Sequence, residues 1–282
     1  WLVKKKNLSL QFANAKLCDD SEVMIAAISK DSDSLQFASD SLQFGSDRLR
    51  NDRDFILSIP ENADTGRGSK LALAFVGDEL RKDREVVLTA IMSSSCNLKY
   101  ASEELRDDNE IVQLAIKNDG YEVFQYASDR LKNDKPFVLE ILTYFSYSLN
   151  FVSETLCDDR EVVLTAVKHN GDVFGAASER LRNDREIALT AIGNTEDGSG
   201  WTFRYVGNEL RHDRQFILDA MNVEPWVFSY LDEEFRKDRE LAMLAVQSAG
   251  GALRYLSKEL QNDREVVLSA VNVLGCALEY AS

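Results

Sequence analysis

The sequence predicts an all-α chain, an α-solenoid of about ten tandem 25-residue helix-pair repeats over residues 1–282. Three observations lead there. A phrase anchored on aspartate returns along the whole chain at nearly constant spacing. Within each copy, apolar residues fall three and four apart, which marks one face of a helix. Only three prolines occur in 282 residues, as extensive helix requires.

The anchored phrase reads DREVVLTAI from Asp83, DREVVLTAV from Asp159, DREIALTAI from Asp184 and DREVVLSAV from Asp263. Looser copies start at Asp20, Asp52, Asp108, Asp134, Asp213 and Asp238, and the ten anchors are 32, 31, 25, 26, 25, 25, 29, 25 and 25 residues apart. With the anchor as position 0, apolar residues occupy +3, +4, +5, +7 and +8, for example Val162, Val163, Leu164, Ala166 and Val167. The anchor carboxylate suits an N-cap, accepting hydrogen bonds from the first free amides. Glutamate in the first turn complements the helix dipole. Pro136 falls where a first-turn residue needs no amide partner.

A second segment precedes each anchor, as in Ala252-Leu-Arg-Tyr-Leu-Ser-Lys-Glu-Leu260. Position −10 is always Leu or Phe; position −8 is aromatic from Phe12 to Tyr280 except at Ala176; position −3 is Leu, or Phe235 once. Position −6 is usually Ser or Gly, read as room for a neighbouring backbone. This spacing predicts a second helix with one buried face. Helices this short are marginal alone, since about 12–15 residues are needed even for good formers. Each must complete the core of the next repeat. The array starts in a second-type helix near Leu8–Leu17 and stops at Ser282 inside another, without polar capping segments. A fragment of a longer array is therefore expected, or one packed at both ends.

The first interval of 32 contains a doubled heptad, DSLQFAS then DSLQFGS, over Asp33–Ser46. Seven residues are nearly two helical turns, which predicts one lengthened helix over Asp33–Leu49; a looped-out copy is the alternative.

The alternation of DREVVLxAV with ALxYASxxLRND resembles the repeat family known as domain of unknown function 4116, found in protists, algae and bacteria that live with amoebae. The resemblance covers essentially the whole chain. It implies an all-helical repeat protein and brings no activity with it.

Composition narrows the function classes. Apolar residues make up 44% and charged residues 29%, a balance that suits a folded soluble protein. Net charge is −15, from 48 acidic and 33 basic residues. That charge repels phosphate backbones and acidic membranes, and favours a basic protein partner or simple solubility. The cysteines, Cys18, Cys96, Cys157 and Cys276, form no CxxC pair, which points to reduced thiols inside a cell. The expected location is cytoplasmic, or the host cytosol for a bacterial effector. No apolar run approaches the ~20 residues a membrane span needs.

Several features are candidate sites. Basic residues follow the anchors at +1 and precede them at −2, with acids at −5 such as Asp78, Glu103, Glu154 and Glu179. Recurrence in every unit favours an inter-repeat salt-bridge and capping ladder over a docking strip. The irregular places are better candidates for function. Insertions at Pro60–Lys70 and Gly193–Gly200 both fall between the two segments of a unit. Arg67 and Lys70 in Thr65-Gly-Arg-Gly-Ser-Lys70 could form an anion nest, though without the order of a nucleotide loop. Trp201 and Trp226 fall outside the repeat-defining aromatics and suit either partner anchoring or local core filling. His169 and His212 sit on different repeats, and no HExxH, GxSxG or metal pattern is present. No catalytic residue, cofactor or metal is expected. The sequence favours a non-catalytic module for protein–protein interaction or assembly through an extended acidic surface. The alternative is a scaffold or targeting arm of a larger enzyme or effector whose chemistry lies elsewhere.

Overall fold

The computed structural model describes residues 13–30, 43, 45–59 and 71–282. Arg67 and Lys70 lie outside the described residues, as does most of the doubled heptad. Helix is the only regular structure among the described residues. The chain forms two compact units, residues 1–132 and 133–282.

The anchor phrase behaves as expected. Every one of the ten anchors caps a helix: Asp83 Oδ1 accepts from the amides of Glu85 and Val86, and Asp20, Asp52, Asp108, Asp134, Asp159, Asp184, Asp213, Asp238 and Asp263 act in the same way. The helices that follow, such as Arg84–Ser93 and Arg160–His169, bury +3, +4, +7 and +8. Val162, Val163, Ala166 and Val167 are fully buried, while Leu164 at +5 lies on the flank. The apolar stripe is therefore one position narrower than the sequence suggested.

The second segment is not one helix. It is a short 3₁₀ helix, such as Ser95–Tyr100, then two extended residues, then one α-turn, such as Glu103–Arg106. The break comes from position −6. Ser102 is extended (φ −59, ψ 157), and its hydroxyl accepts from the amide of Leu105. Ser128, Ser153, Ser178 and Ser257 cap their turns identically. Position −6 thus serves as an N-cap as well as the place where the neighbouring backbone approaches. The same break occurs at Ser46, where a new turn begins at Asp47, so the helix expected over Asp33–Leu49 does not run unbroken to its end.

Position −6 also joins one repeat to the next. Its amide donates to the −2 carbonyl of the preceding repeat: Ser102 to Arg81 (3.0 Å), Ser178 to Cys157 (2.9 Å) and Gly207 to Arg182 (2.8 Å). At Gly207, where −6 lacks a hydroxyl, the neighbour supplies the cap. Asn183 Oδ1 accepts from the amides of Glu209 and Leu210, at 3.1 and 3.4 Å. A Cβ on Gly207 would stand 2.2 Å from that oxygen, which explains the glycine. The 3₁₀ segments add Phe124, Phe174, Phe203 and Phe228 at −10 to the core, all essentially fully buried. Their −8 rings are only half-buried, and Tyr100 is exposed.

Candidate functional site

Most of the charged side chains have a structural task. The +1 cation of one repeat reaches the anchor and the +2 acid of the next. In the first unit Arg53 meets Asp83 at 2.8 Å and pairs with Glu85, and Arg84 pairs with Asp108 and Glu110. In the second unit Lys135 meets Asp159 and Glu161, Arg160 meets Asp184 and Glu186, Arg214 meets Asp238 and Glu240, and Arg239 meets Asp263 and Glu265. Each of these anchor carboxylates thus caps its own helix with one oxygen and ties back to its neighbour with the other. The Lys135 hydrogen bond is the main reason Asp159 titrates below the usual carboxylate range. For Asp238, burial pushes the carboxyl up, but the Arg214 contact and the Leu241 amide together outweigh it and bring it below that range.

Position −2 works mainly within its own repeat, although Arg211 also reaches Asp232 of the next at 3.3 Å. Its side chain folds back onto the 3₁₀ helix and donates to carbonyls there. Arg81 reaches Val76 O (2.9 Å) and Ala74 O (2.8 Å), and Arg236 reaches Leu231 O (2.7 Å) and Ser229 O (3.1 Å). The −5 acid closes the arrangement locally, as Asp78 does with Arg81 at 3.3 Å and Glu179 with Arg182 at 2.5 Å. Cys157 breaks this rule. Its thiol rests 3.8 Å from the carbonyls of Leu149 and Val152. Burial, and secondarily the Glu154 charge, push the thiol pKa up and keep it neutral. Beside it is an open pocket of about 500 Å³ lined by Leu149, Asn150, Val152, Glu154, Cys157, Ala176 and Ser178.

The second departure from the repeat is at position −12, where side chains differ from copy to copy. In the unit 133–282 this position holds Tyr147, Asp172, Trp201, Trp226, Gly251 and Cys276. A 3₁₀ helix turns every three residues, so −12 and −9 share its outer face. Tyr147 donates its hydroxyl to Asp172 Oδ2 at 3.3 Å. Burial is the first reason the Asp172 carboxyl titrates high, and the charges of Glu196 and Asp197 add to it. Those two acids belong to the predicted insertion. It is pinned by Asn170, whose amide nitrogen donates to Glu196 (2.7 Å), and by Gly171, whose backbone amide donates to Asn194 O (2.8 Å). Gly200 closes it at φ 71, where a Cβ would stand 2.6 Å from Val227 N.

Both predicted tryptophans lie inside 3₁₀ helices, Trp201–Tyr205 and Pro225–Tyr230, rather than ahead of them. Trp201 is half-buried and packs edge-on against Tyr205, 5.5 Å between centroids. Trp226 is 37% exposed, with its ring edge above Gly251. Sequence reasoning missed Tyr147, Asp172 and the pocket. Numbering every copy from its anchor would have brought the two tryptophans and Asp172 into one column.

The model for domain of unknown function 4116 matches seven segments: residues 2–43, 67–106, 83–123, 108–157, 159–197, 196–236 and 238–282. The chain belongs to that family. No curated protein and no solved structure matches it. The family matches, from residue 2 to residue 282, follow the same repeats that the anchors mark. Among the described residues, no group of three or more His, Cys, Asp or Glu could hold a metal ion, and all four cysteines are free. His212 is exposed; its Nδ1 lies 2.9 Å from Asn208 O and its ring beside Asp232 and Glu234. No helix among the described residues is long and apolar enough to cross a membrane.

Proposed function

We propose that this member of the family is a non-catalytic interaction module, which offers a protein partner the variable outer face of its 3₁₀ segments. One observation carries the reading. At position −12 of the unit 133–282, Tyr147, Asp172, Trp201 and Trp226 occupy equivalent places on successive repeats, while the positions around them repeat. A part needed in every repeat serves the fold; a part that differs from repeat to repeat is free to serve recognition. Trp and Tyr are the side chains that dominate interface hot spots, and the net charge of −15 favours a basic partner. Nucleic acid is a poor partner for the same reason. The module would work in a reducing compartment inside the cell, where its thiols stay free.

The test is purification of the intact protein at modest salt beside its Trp226→Ala variant. The reading expects a partner that co-purifies with the first and is lost from the second, while the melting curves coincide. A chain that purifies alone, or a variant that keeps the partner, contradicts it.

A further inference from the structure

In five other repeats, position −2 carries a donor that ends at the same place, the carbonyl of position −9. Arg81 reaches it at Ala74, Lys132 at Gln125, Arg211 at Arg204, Arg236 at Ser229 and Gln261 at Arg254, over 2.7 to 3.3 Å. Arg81 and Arg236 add the −7 carbonyl, and for Arg81 the −5 carboxylate of Asp78 completes the site. The chain thus displays a guanidinium site several times over, filled from within.

In the Asp159 repeat the site remains but its occupant does not. The acceptors are the carbonyls of Val152 at −7 and Asn150 at −9, with Glu154 at −5, and all three residues line the pocket. Cys157 stands where the cation belongs and is too short to reach Asn150. Glu154 has no ion-pair partner among the described residues. The roof is missing as well. In neighbouring repeats the −8 ring covers position −9 of the copy before it: Tyr205 lies 2.9 Å from an ideal Cβ on Gly175, and Arg254 lies 5.8 Å from the Tyr280 centroid. The residue that should cover Asn150 is Ala176, which is the one break in the −8 aromatic series. Two departures on facing repeats therefore empty and open the same cavity.

We propose that this pocket receives an arginine side chain from a basic protein partner. Its guanidinium would donate to Val152 O and Asn150 O, as Arg81 and Arg236 do to their own carbonyls, and pair with Glu154 as Arg81 pairs with Asp78. The planar fork of arginine matches two carbonyls and a carboxylate better than a lysine ammonium does. The net charge of −15 favours approach of a cationic segment. The pocket adjoins the −12 column through Asn150, whose Nδ2 donates to Tyr147 O at 3.1 Å. No −12 side chain lines it, so the two readings are tested by different variants.

The probe is a short blocked peptide with one central arginine, titrated into the full chain by NMR, beside the same peptide with citrulline, a neutral isostere. The arginine peptide should shift the amides of residues 149–157 and 176–178, and citrulline should bind roughly tenfold or more weaker. Cys157→Arg, which refills the site, and Ala176→Tyr, which restores the roof, should each weaken arginine binding by a similar factor; either variant is sufficient if the other fails to fold. Trp226→Ala should leave the titration unchanged. Failure of the arginine peptide to bind the folded chain overturns the proposal. So does equal binding of citrulline, equal binding by a folded Cys157→Arg or Ala176→Tyr chain, or shifts centred outside the pocket.

Discussion

The repeats anchored at Asp238 and Asp159 follow one plan, and two of their differences decide whether a pocket opens. In the first, Arg236 spans the 3₁₀ helix to two carbonyls, and Tyr255 of the next repeat stands at −8. In the second, Cys157 and Ala176 hold those places, and a pocket opens. Their caps, backbone links and ladder are alike: Asp238 is tied to Arg214, and Asp159 to Lys135. The skeleton of the fold thus tolerates loss of the −2 cation and the −8 ring together. Those two positions close the surface, whereas the cap and the apolar stripe build the repeat.

That comparison can be broken in order of effect. The largest loss is expected from the shared core. Phe228→Ala removes a fully buried −10 ring from the Asp238 repeat and should cost about 3–5 kcal/mol by denaturant unfolding. Because each repeat contacts only its neighbours, the transition should also lose cooperativity.

Exchanging the −2 residues should have a smaller effect. Arg236→Cys leaves two carbonyls without their charged donor and should cost about 1–3 kcal/mol. Cys157→Arg should be neutral or stabilise by up to about 1 kcal/mol, because it restores the pattern. If both exchanges destabilise equally, the Asp159 repeat is not a vacated version of the Asp238 repeat.

Charge gives two further tests. Asp172 ionises reluctantly in the fold, first through burial and then through Glu196 and Asp197, so its charge costs stability at neutral pH. Asp172→Asn should raise the melting temperature by about 1–2 °C at pH 7. The gain should vanish as pH falls and the native carboxyl takes up its proton. The anchors behave oppositely. Asp159 and Asp238 titrate below their ordinary range in the fold. Their stabilisation is complete above the unfolded carboxyl pKa near 4, and is lost as pH falls further through the native value. The smallest effect belongs to a single ladder rung: Arg239→Ala should lower the melting temperature only slightly, and less at high salt.

How much was legible in the sequence follows from the range of each interaction. The period, the Asp caps and the +3/+4/+7/+8 stripe are local, and Asp83 or Asp159 with its next three residues already contains the cap geometry. The division of the second segment was also written locally. Ser102 three residues before Leu105 is an N-cap signature, but the apolar spacing of −10, −8 and −3 suggested one continuous face. The 3₁₀ turn, with its period of three, places those side chains differently. The partners of Arg81 and Arg236 were hidden because they are backbone carbonyls, which leave no trace in residue identity. The pocket required two absences, Cys157 and Ala176, to be seen as neighbours, although 19 residues separate them in the chain. Asp172 and Trp201 likewise come together only after the insertion at 193–200 is subtracted.

The central claim is that recurring residues hold the fold and non-recurring ones meet the partner. Partner retention by Trp226→Ala and Arg214→Ala, measured at a temperature where both chains are folded, tests it most directly. The account predicts that Trp226→Ala melts like the parent and loses its partner, whereas Arg214→Ala melts slightly lower and keeps it. The reverse, with the partner lost from Arg214→Ala and held by Trp226→Ala, would place recognition on the ladder and contradict the account.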